Sequence, residues 1–241
     1  MIRADQPTCF PSNVITGVSS LQDGTMLDRT IENIHDKAAV ANRKRFCQAV
    51  GIDYQECVYQ KIRYGDSCTY DVISEVDAPN STGVAADVLY TQTAGVGLFL
   101  PIADCIGTIL YDPVRKALAL AHIGRHASVA GTMKKAIEFF IEKGSSPSDI
   151  IVWMSPSVAQ ENYRMEYFDK IHDPDWRDYV ERGDEGVYLD LVGYNRNSAQ
   201  QAGVLAENIQ SSAVDTATDQ NYFSHSRGDV AARFAVVAMM R

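Results

Sequence analysis

The sequence has no C-x-x-C pair, and its cysteines (Cys9, Cys47, Cys57, Cys68 and Cys105) form an odd, dispersed set. Unpaired thiols of this kind fit a reducing cytoplasm rather than a secreted disulfide scaffold. No stretch approaches the ~18 consecutive apolar residues that span a bilayer, which excludes a transmembrane helix. The opening segment, MIRADQPTCF, lacks the apolar core of a secretion signal, so the expected location is cytoplasmic. Positive charge is in deficit. There are 22 Lys and Arg against 31 Asp and Glu, and the net charge is −9. That balance counts against a nucleic-acid or anionic-membrane partner. Repeats, low-complexity tracts and charge runs are missing too. The Asn80-Ser81-Thr82 sequon is a chance match in that compartment.

What remains is a chain of 241 residues, 46% hydrophobic, able to bury a sizeable core. Periodicity predicts a strand over Thr8–Val18 and a helix over Thr30–Val50, with Ile31, Ile34, Ala38, Ala41 and Phe46 on its apolar face and Gly51 as its stop. Strands are expected around Glu56–Ile62, Thr69–Val76, Val88–Tyr90 and Val96–Ile102, with Asp77–Gly83 as a surface loop. A helix over Val129–Ile141, capped by Ser128 and stopped at Gly144, follows from Met133, Ala136, Ile137 and Phe140. Ile150–Met154 reads as a buried strand, and Gln160–Glu185 as an acidic cover of short helices. Leu189–Ala202 reads as a helix and Ile209–Ser212 as a strand. Val230–Met239, apolar almost throughout, reads as a central strand buried on both faces. The fold class is mixed α/β, taken as a single domain over residues 1–241.

Two apolar runs flank Asp112-Pro113, a strong turn signal. A four-residue loop Asp112–Arg115 sets Tyr111 opposite Lys116 and, counting outward, Cys105 opposite His122. Directly opposed Cβ atoms lie roughly 4.5–5.5 Å apart. A thiol and an imidazole at that separation can share a metal ion or act as nucleophile and base. A buried structural cysteine beside a satisfied core histidine is the alternative. After His122 the chain runs through Gly124-Arg125-His126 into a helix, a place where backbone N–H groups and Arg125 suit an anion. An ordinary strand-to-helix connection is the alternative there. The polar loop Phe223–Asp229 offers Ser224 and Arg227 as phosphate or substrate ligands, with a solvated turn as the alternative.

These landmarks resemble, in order, one family: the laccase-like, multicopper polyphenol oxidase-related proteins described as purine nucleoside phosphorylases. The matching pieces are Gly17-Val18-Ser19, Asn42-Arg43, Ala86-Asp87-Val88-Leu89-Tyr90-Thr91, Ile102-Ala103-Asp104-Cys105 and His122-Ile123-Gly124. Ser155-Pro156-Ser157-Val158 with Tyr163, Asp190-Leu191, Phe223-Ser224 and Arg233 complete the set. Each is weak alone, and their order over almost the whole chain carries the resemblance. It implies mixed sheets packed between helices, a fold similar to the cytotoxic necrotising factor deamidase domain.

The resemblance also implies a zinc site made by a His of Q-x-H-G, the Cys of T-A-D-C and the His of H-A-G-W. The last two fall on Cys105 and His122. Tyr64 stands where the first His belongs, and a phenol with pKa near ~10 is a poor neutral-pH ligand. His126 is a candidate replacement ligand, and Tyr64 a ligand or hydrogen-bond donor. Arg125 and His126 replace the Trp and Arg of H-A-G-W-R. A copper site is the weakest reading, because five scattered His cannot build a multi-copper centre.

Implied functions follow from that resemblance. The first is phosphorolysis of a purine nucleoside such as adenosine, with phosphate near Arg125 or, secondarily, Arg43, and with Asp104 orienting His122 or protonating the base. Deamination of adenosine belongs to the same reading. The second is a metal-free hydrolase or deamidase with Cys105 as nucleophile and His122 as base. The third is a non-catalytic relative that binds a nucleoside or a protein partner.

Overall fold

A computed structural model describes residues 6–30 and 33–241. The chain begins with β1 (Val14–Val18), α1 (Lys37–Val50), β2 (Cys57–Lys61), β3 (Ile73–Glu75) and β4 (Asn80–Ala85). The middle holds β5 (Val88–Thr91), β6 (Gly97–Ile102), β7 (Ile106–Asp112), β8 (Ala117–Ile123), α2 (Arg125–Val129), α3 (Thr132–Glu142) and β9 (Ile151–Met154). The last third holds β10 (Arg164–Met165), β11 (Val180–Gly183), β12 (Gly186–Leu189), α4 (Leu191–Gln201), β13 (Ile209–Ser211) and β14 (Phe234–Met240).

Two large mixed sheets, β1-β14-β6-β2-β4 and β13-β9-β7-β8-β5-β3, pack face to face. The strand period of two explains the layering. On β14, Phe234, Val236, Ala238 and Met240 fill the space between the sheets, while Ala235, Val237 and Met239 meet Phe46 and Cys47 of α1. On β8, Leu118 and Leu120 face the other sheet, while Ala119, Ala121 and Ile123 meet Met133, Ile137 and Phe140 of α3. Helices thus cover both outer faces. Each buried Phe or Ile in these layers contributes roughly 1.5–3 kcal/mol.

β14 forms antiparallel ladders with β1 and β6, and both its faces are buried as its composition predicts. It starts four residues later than the apolar run, because Val230–Arg233 stays outside the ladder, with Ala232 bridged to Asp28 instead. Gly51 ends α1 in the left-handed conformation at φ 86. The helix begins at Lys37 rather than Thr30, capped by the Asp36 carboxylate on the Ala39 N–H. Ile31 of the expected apolar face lies outside the described residues.

Three expectations fail for identifiable reasons. Part of the expected loop Asp77–Gly83 belongs to the edge strand β4, whose parallel pairing with β2 is interrupted by a register shift. The helix after His122 is two helices, broken at Gly131 with φ 74. Ser128 is therefore no cap, and its hydroxyl donates back to the Gly124 carbonyl. The acidic cover of Gln160–Glu185 contains 3-10 turns but also the small sheet β10-β12-β11.

Candidate active site

His122 is the next inward-facing residue on β8 after Leu118 and Leu120, so its imidazole enters the space between the sheets near their end. Asp87, fully buried before β5, clamps it twice. The His122 backbone N–H donates to the Asp87 carbonyl at 2.7 Å. Its ring Nδ1 lies 3.1 Å from Asp87 Oδ2. The other carboxylate oxygen accepts from Thr69 Oγ1 at 2.5 Å. The proton between the ring and the carboxylate sits on Nδ1, leaving Nε2 for the cavity.

The ladder of β7 and β8 differs from the counted register. Asp112 pairs with Ala117, and Gly107, not Cys105, lies opposite His122. The loop is Pro113–Lys116, because the Asp112 carboxylate accepts from the N–H groups of Val114 and Arg115 and holds Asp112 in the strand. Lys116 closes the turn at φ 51. A slip of two keeps every side chain on its face, whereas a slip of one would have reversed them. Cys105 therefore still reaches the imidazole, diagonally, from the bend before β7. Cys105 Sγ and the His122 ring both abut the Cβ position of Gly124, and the cysteine raises the imidazole's pKa.

Gly124 makes that contact possible. A Cβ there would stand 2.8 Å from Cys105 Sγ and 3.3 Å from His122 Cε1. Burial opposes a charged His122 imidazole, but the negative fields of Cys105 and Asp87, with their hydrogen bonds, win and push its pKa up to about 10.

Asp104 does not orient His122; Asp87 does. Asp104 has φ 67, a left-handed conformation that aspartate tolerates better than most side chains. Its carboxylate accepts from Thr216 Oγ1 and from the Ser226 N–H, both at 2.6 Å. It thereby fixes the bend that presents Cys105, and both its oxygens are already engaged.

A cavity of about 710 Å³ opens over the pair, walled by Arg29, Arg125 and Arg233 among others. Tyr64 also lines it, with its ring perpendicular to His122 at a centroid distance of 6.4 Å. Arg29 lies over the Tyr64 ring at 5.4 Å. Burial and the negative field of Cys105 push the Tyr64 phenol well above its usual range, so it stays protonated. Tyr163 behaves alike, raised by burial and Cys105 while bonding to Arg125. Burial and the neighbouring Arg29 lower Arg233, whose Nη1 donates to carbonyls of Val230 and Ala232.

His126 stacks on Tyr70 at 4.8 Å, and its Nε2 lies 2.9 Å from Arg125 Nη2. Burial and Arg125 lower its pKa, so the neutral ring accepts that bond. Its Nε2 is thus spent on Arg125. Among the described residues, no three His, Cys, Asp or Glu side chains are grouped to hold a metal. Tested against zinc, the donors are Cys105 and His122 alone, beside a phenol held protonated. That set is one short of the usual three protein ligands of a catalytic zinc and does not fit it.

Three sequence candidates lie elsewhere. Arg43 is buried on α1, donating to the carbonyls of Met26 and Ile34 and to Tyr54 Oη, with its guanidinium 4.4 Å over the Tyr59 ring. It ties α1 to the first sheet rather than reaching phosphate. Ser224 is buried and accepts from the Arg227 N–H. Arg227 donates to the carbonyls of Thr216, Asp219 and Tyr222 and pairs with Asp229, so the Phe223–Asp229 loop is a folded clasp. Asp87, Arg29 and Arg233 carried no assigned role in the sequence. For Asp87 the available signal was a lone carboxylate amid Ala86–Tyr90.

The Multi-copper polyphenol oxidoreductase laccase family model matches residues 16–241. A purine nucleoside phosphorylase of Mycobacterium bovis is 29% identical, over 85% of this chain and 81% of its own length. An adenosine deaminase, RL5, of an unknown prokaryotic organism is 26% identical, over 77% and 74%. The crystal structure of the hypothetical protein YfiH of Bacillus licheniformis superposes with a TM-score of 0.82 at 24% identity, covering 95% of this chain and 93% of that one. With a model match running to its last residue and this fold beneath it, the chain belongs to the multi-copper polyphenol oxidoreductase laccase family, among relatives named as purine nucleoside phosphorylases.

Proposed function

We propose that the chain is an enzyme of purine nucleosides that cleaves the glycosidic bond with phosphate, in the cavity over Cys105 and His122. The observation that supports this reading is one cavity lined by three guanidiniums and by side chains that hold protons. Arg29, Arg125 and Arg233 attract phosphate and the charge that builds as it attacks C1′. The departing purine needs a proton, and His122, oriented by Asp87, supplies it from Nε2. Tyr64 and Tyr163, kept protonated, donate hydrogen bonds to the substrate. Asp104 is omitted as acid because both its oxygens are occupied. No step is assigned to zinc, because the donor set does not fit it. The names of the phosphorylase and deaminase relatives point to the same substrate class.

Free-base release from adenosine, inosine and guanosine, with and without phosphate, tests the proposal. Release that depends on phosphate is expected. Release that ignores phosphate, or none from any of the three, overturns it.

A further inference from the structure

The cavity carries more positive charge than phosphorolysis of a neutral nucleoside needs. Among the described residues, its walls hold four cations, Arg29, Lys61, Arg125 and Arg233, and one carboxylate, Asp104. No described carboxylate forms an ion pair with any of the four. The surplus lies in a chain whose net charge is −9. One attacking phosphate brings a charge of about −1.5 to −2 and does not balance it.

The cations also come from two places. Alternation along β2 puts Val58 and Gln60 between the sheets, and Tyr59 and Lys61 on the face that α1 covers. Arg29 and Arg233 come from adjoining backbones at the start of β14, joined by the Asp28–Ala232 bridge and by the Arg29 N–H on the Ala231 carbonyl. Arg125 follows β8 of the second sheet, three residues after His122. Tyr59 points to a ligand independently. It is buried on the cavity wall and its hydroxyl has no hydrogen-bond partner, although an unpaired buried hydroxyl costs about 1–3 kcal/mol. Burial keeps that hydroxyl protonated, a donor for an anionic oxygen. Gln60, also buried on the wall, has its Nε2 on the Ala86 carbonyl and its Oε1 unpartnered, an acceptor for a sugar hydroxyl.

We propose that the substrate is a purine nucleoside 5′-phosphate, whose phosphate monoester is bound by Arg29, Lys61 and Tyr59, apart from the attacking phosphate at Arg125 and Arg233. The proposal rests on the phosphorylase reading of the cavity. The C1′–N9 bond breaks, an oxygen of hydrogen phosphate bonds to C1′, and His122 Nε2 protonates the departing purine. The proton that the hydrogen phosphate loses restores His122. The products are the free purine and ribose 1,5-bisphosphate, with no change of oxidation state.

The test measures phosphate-dependent hypoxanthine release by the full chain from inosine 5′-monophosphate and from inosine, at equal concentrations below either KM, with phosphorus NMR of the products. The expected kcat/KM for the nucleotide exceeds that for the nucleoside by ~10-fold or more, and ribose 1,5-bisphosphate gives two phosphate-ester signals. Arg29→Ala and Lys61→Met should each cut the nucleotide-to-nucleoside ratio by ~10-fold, and Tyr59→Phe, which removes only the hydroxyl, by about 5-fold. Loss of folded protein lowers both rates alike and leaves that ratio in place. A ratio of one or below, or one that Arg29→Ala and Lys61→Met leave unchanged, overturns the proposal. Ribose 1-phosphate in place of the bisphosphate, the mark of prior loss of the 5′-phosphate, overturns it too. In each of these cases continued cleavage of inosine leaves the phosphorylase reading standing, whereas no release from either substrate removes both.

Discussion

Replacing Gly124 with alanine separates the chemistry from the fold. Gly124 has φ −96 and ψ −177, which alanine adopts without strain, so the backbone does not oppose the change. The methyl group does. It would lie 2.8 Å from Cys105 Sγ, 3.3 Å from His122 Cε1 and 3.5 Å from His122 Nε2. Carbon contacts settle at ~3.5–4.0 Å, so the thiol must retreat by about 0.7 Å or more. Rotation of one short side chain absorbs most of this, and overpacking costs about 1–3 kcal/mol at most. For a chain of this size that lowers Tm by roughly 2–4 °C per kcal/mol. Reaction geometry is less forgiving, since a misplacement near ~1 Å costs on the order of 100-fold in rate. Gly124→Ala should therefore stay folded in a thermal melt while kcat for free-purine release falls about 100-fold, some 2.7 kcal/mol in barrier. Undiminished turnover in the folded variant would refute the claim that the seat of His122 against Gly124 sets the proton transfer to the departing purine.

Four further outcomes are expected. Arg43→Leu should lower Tm by roughly 6–12 °C, because it strips buried hydrogen bonds from Met26, Ile34 and Tyr54, about 3 kcal/mol in sum. Its apparent KM for phosphate should not change in whatever fraction stays folded, and a selective rise would return Arg43 to the phosphate site. Arg233→Ala and Arg125→Ala should raise the apparent KM for phosphate more than that for nucleoside, and steady-state kinetics showing the reverse would move the phosphate elsewhere. Tyr64→His should raise zinc content measured on the purified protein, because it supplies the third donor beside Cys105 and His122; unchanged content would mean Tyr64 does not occupy that position. The pKa of His122 is raised to about 10, so its stabilising contribution is complete below the unfolded value near ~6.5 and is lost as pH rises through 10. Denaturant midpoints should accordingly fall from pH 7 to pH 10 in the native protein and fall less in Asp87→Asn; equal slopes would remove Asp87 from the charge balance.

Elements with strong local patterns were legible in the sequence. The continuous apolar run of β14 and the spacing of Met133, Ile137 and Phe140 on α3 hold in the structure, because burial on those faces dictates them. The meeting of Cys105 and His122 was legible as well, although the ladder sits two residues away. Alternation fixes the face, but the Asp112 side chain decides where the turn closes, and that one-residue displacement of a four-residue loop has no local signature. Distant partners were harder. Asp87 and His122 meet because β5 pairs with β8, with Val88 opposite Ala121. Nothing in either segment alone announces it. Arg43 was misassigned because an arginine on a helix reads as solvent-facing, while this one is enclosed by Met26, Ile34, Tyr54 and Tyr59. Asp104 was misread for the opposite reason: its partners, Thr216 and Ser226, lie more than a hundred residues away.

The central claim is that the cavity over His122 acts on purine nucleosides. Phosphate-dependent release of hypoxanthine from inosine, compared between the native chain and His122→Ala at matched folded fraction, tests it most directly. Release by the native protein and a loss of about 100-fold or more in the variant are expected. Equal release by the two proteins would contradict it and place the chemistry outside this cavity.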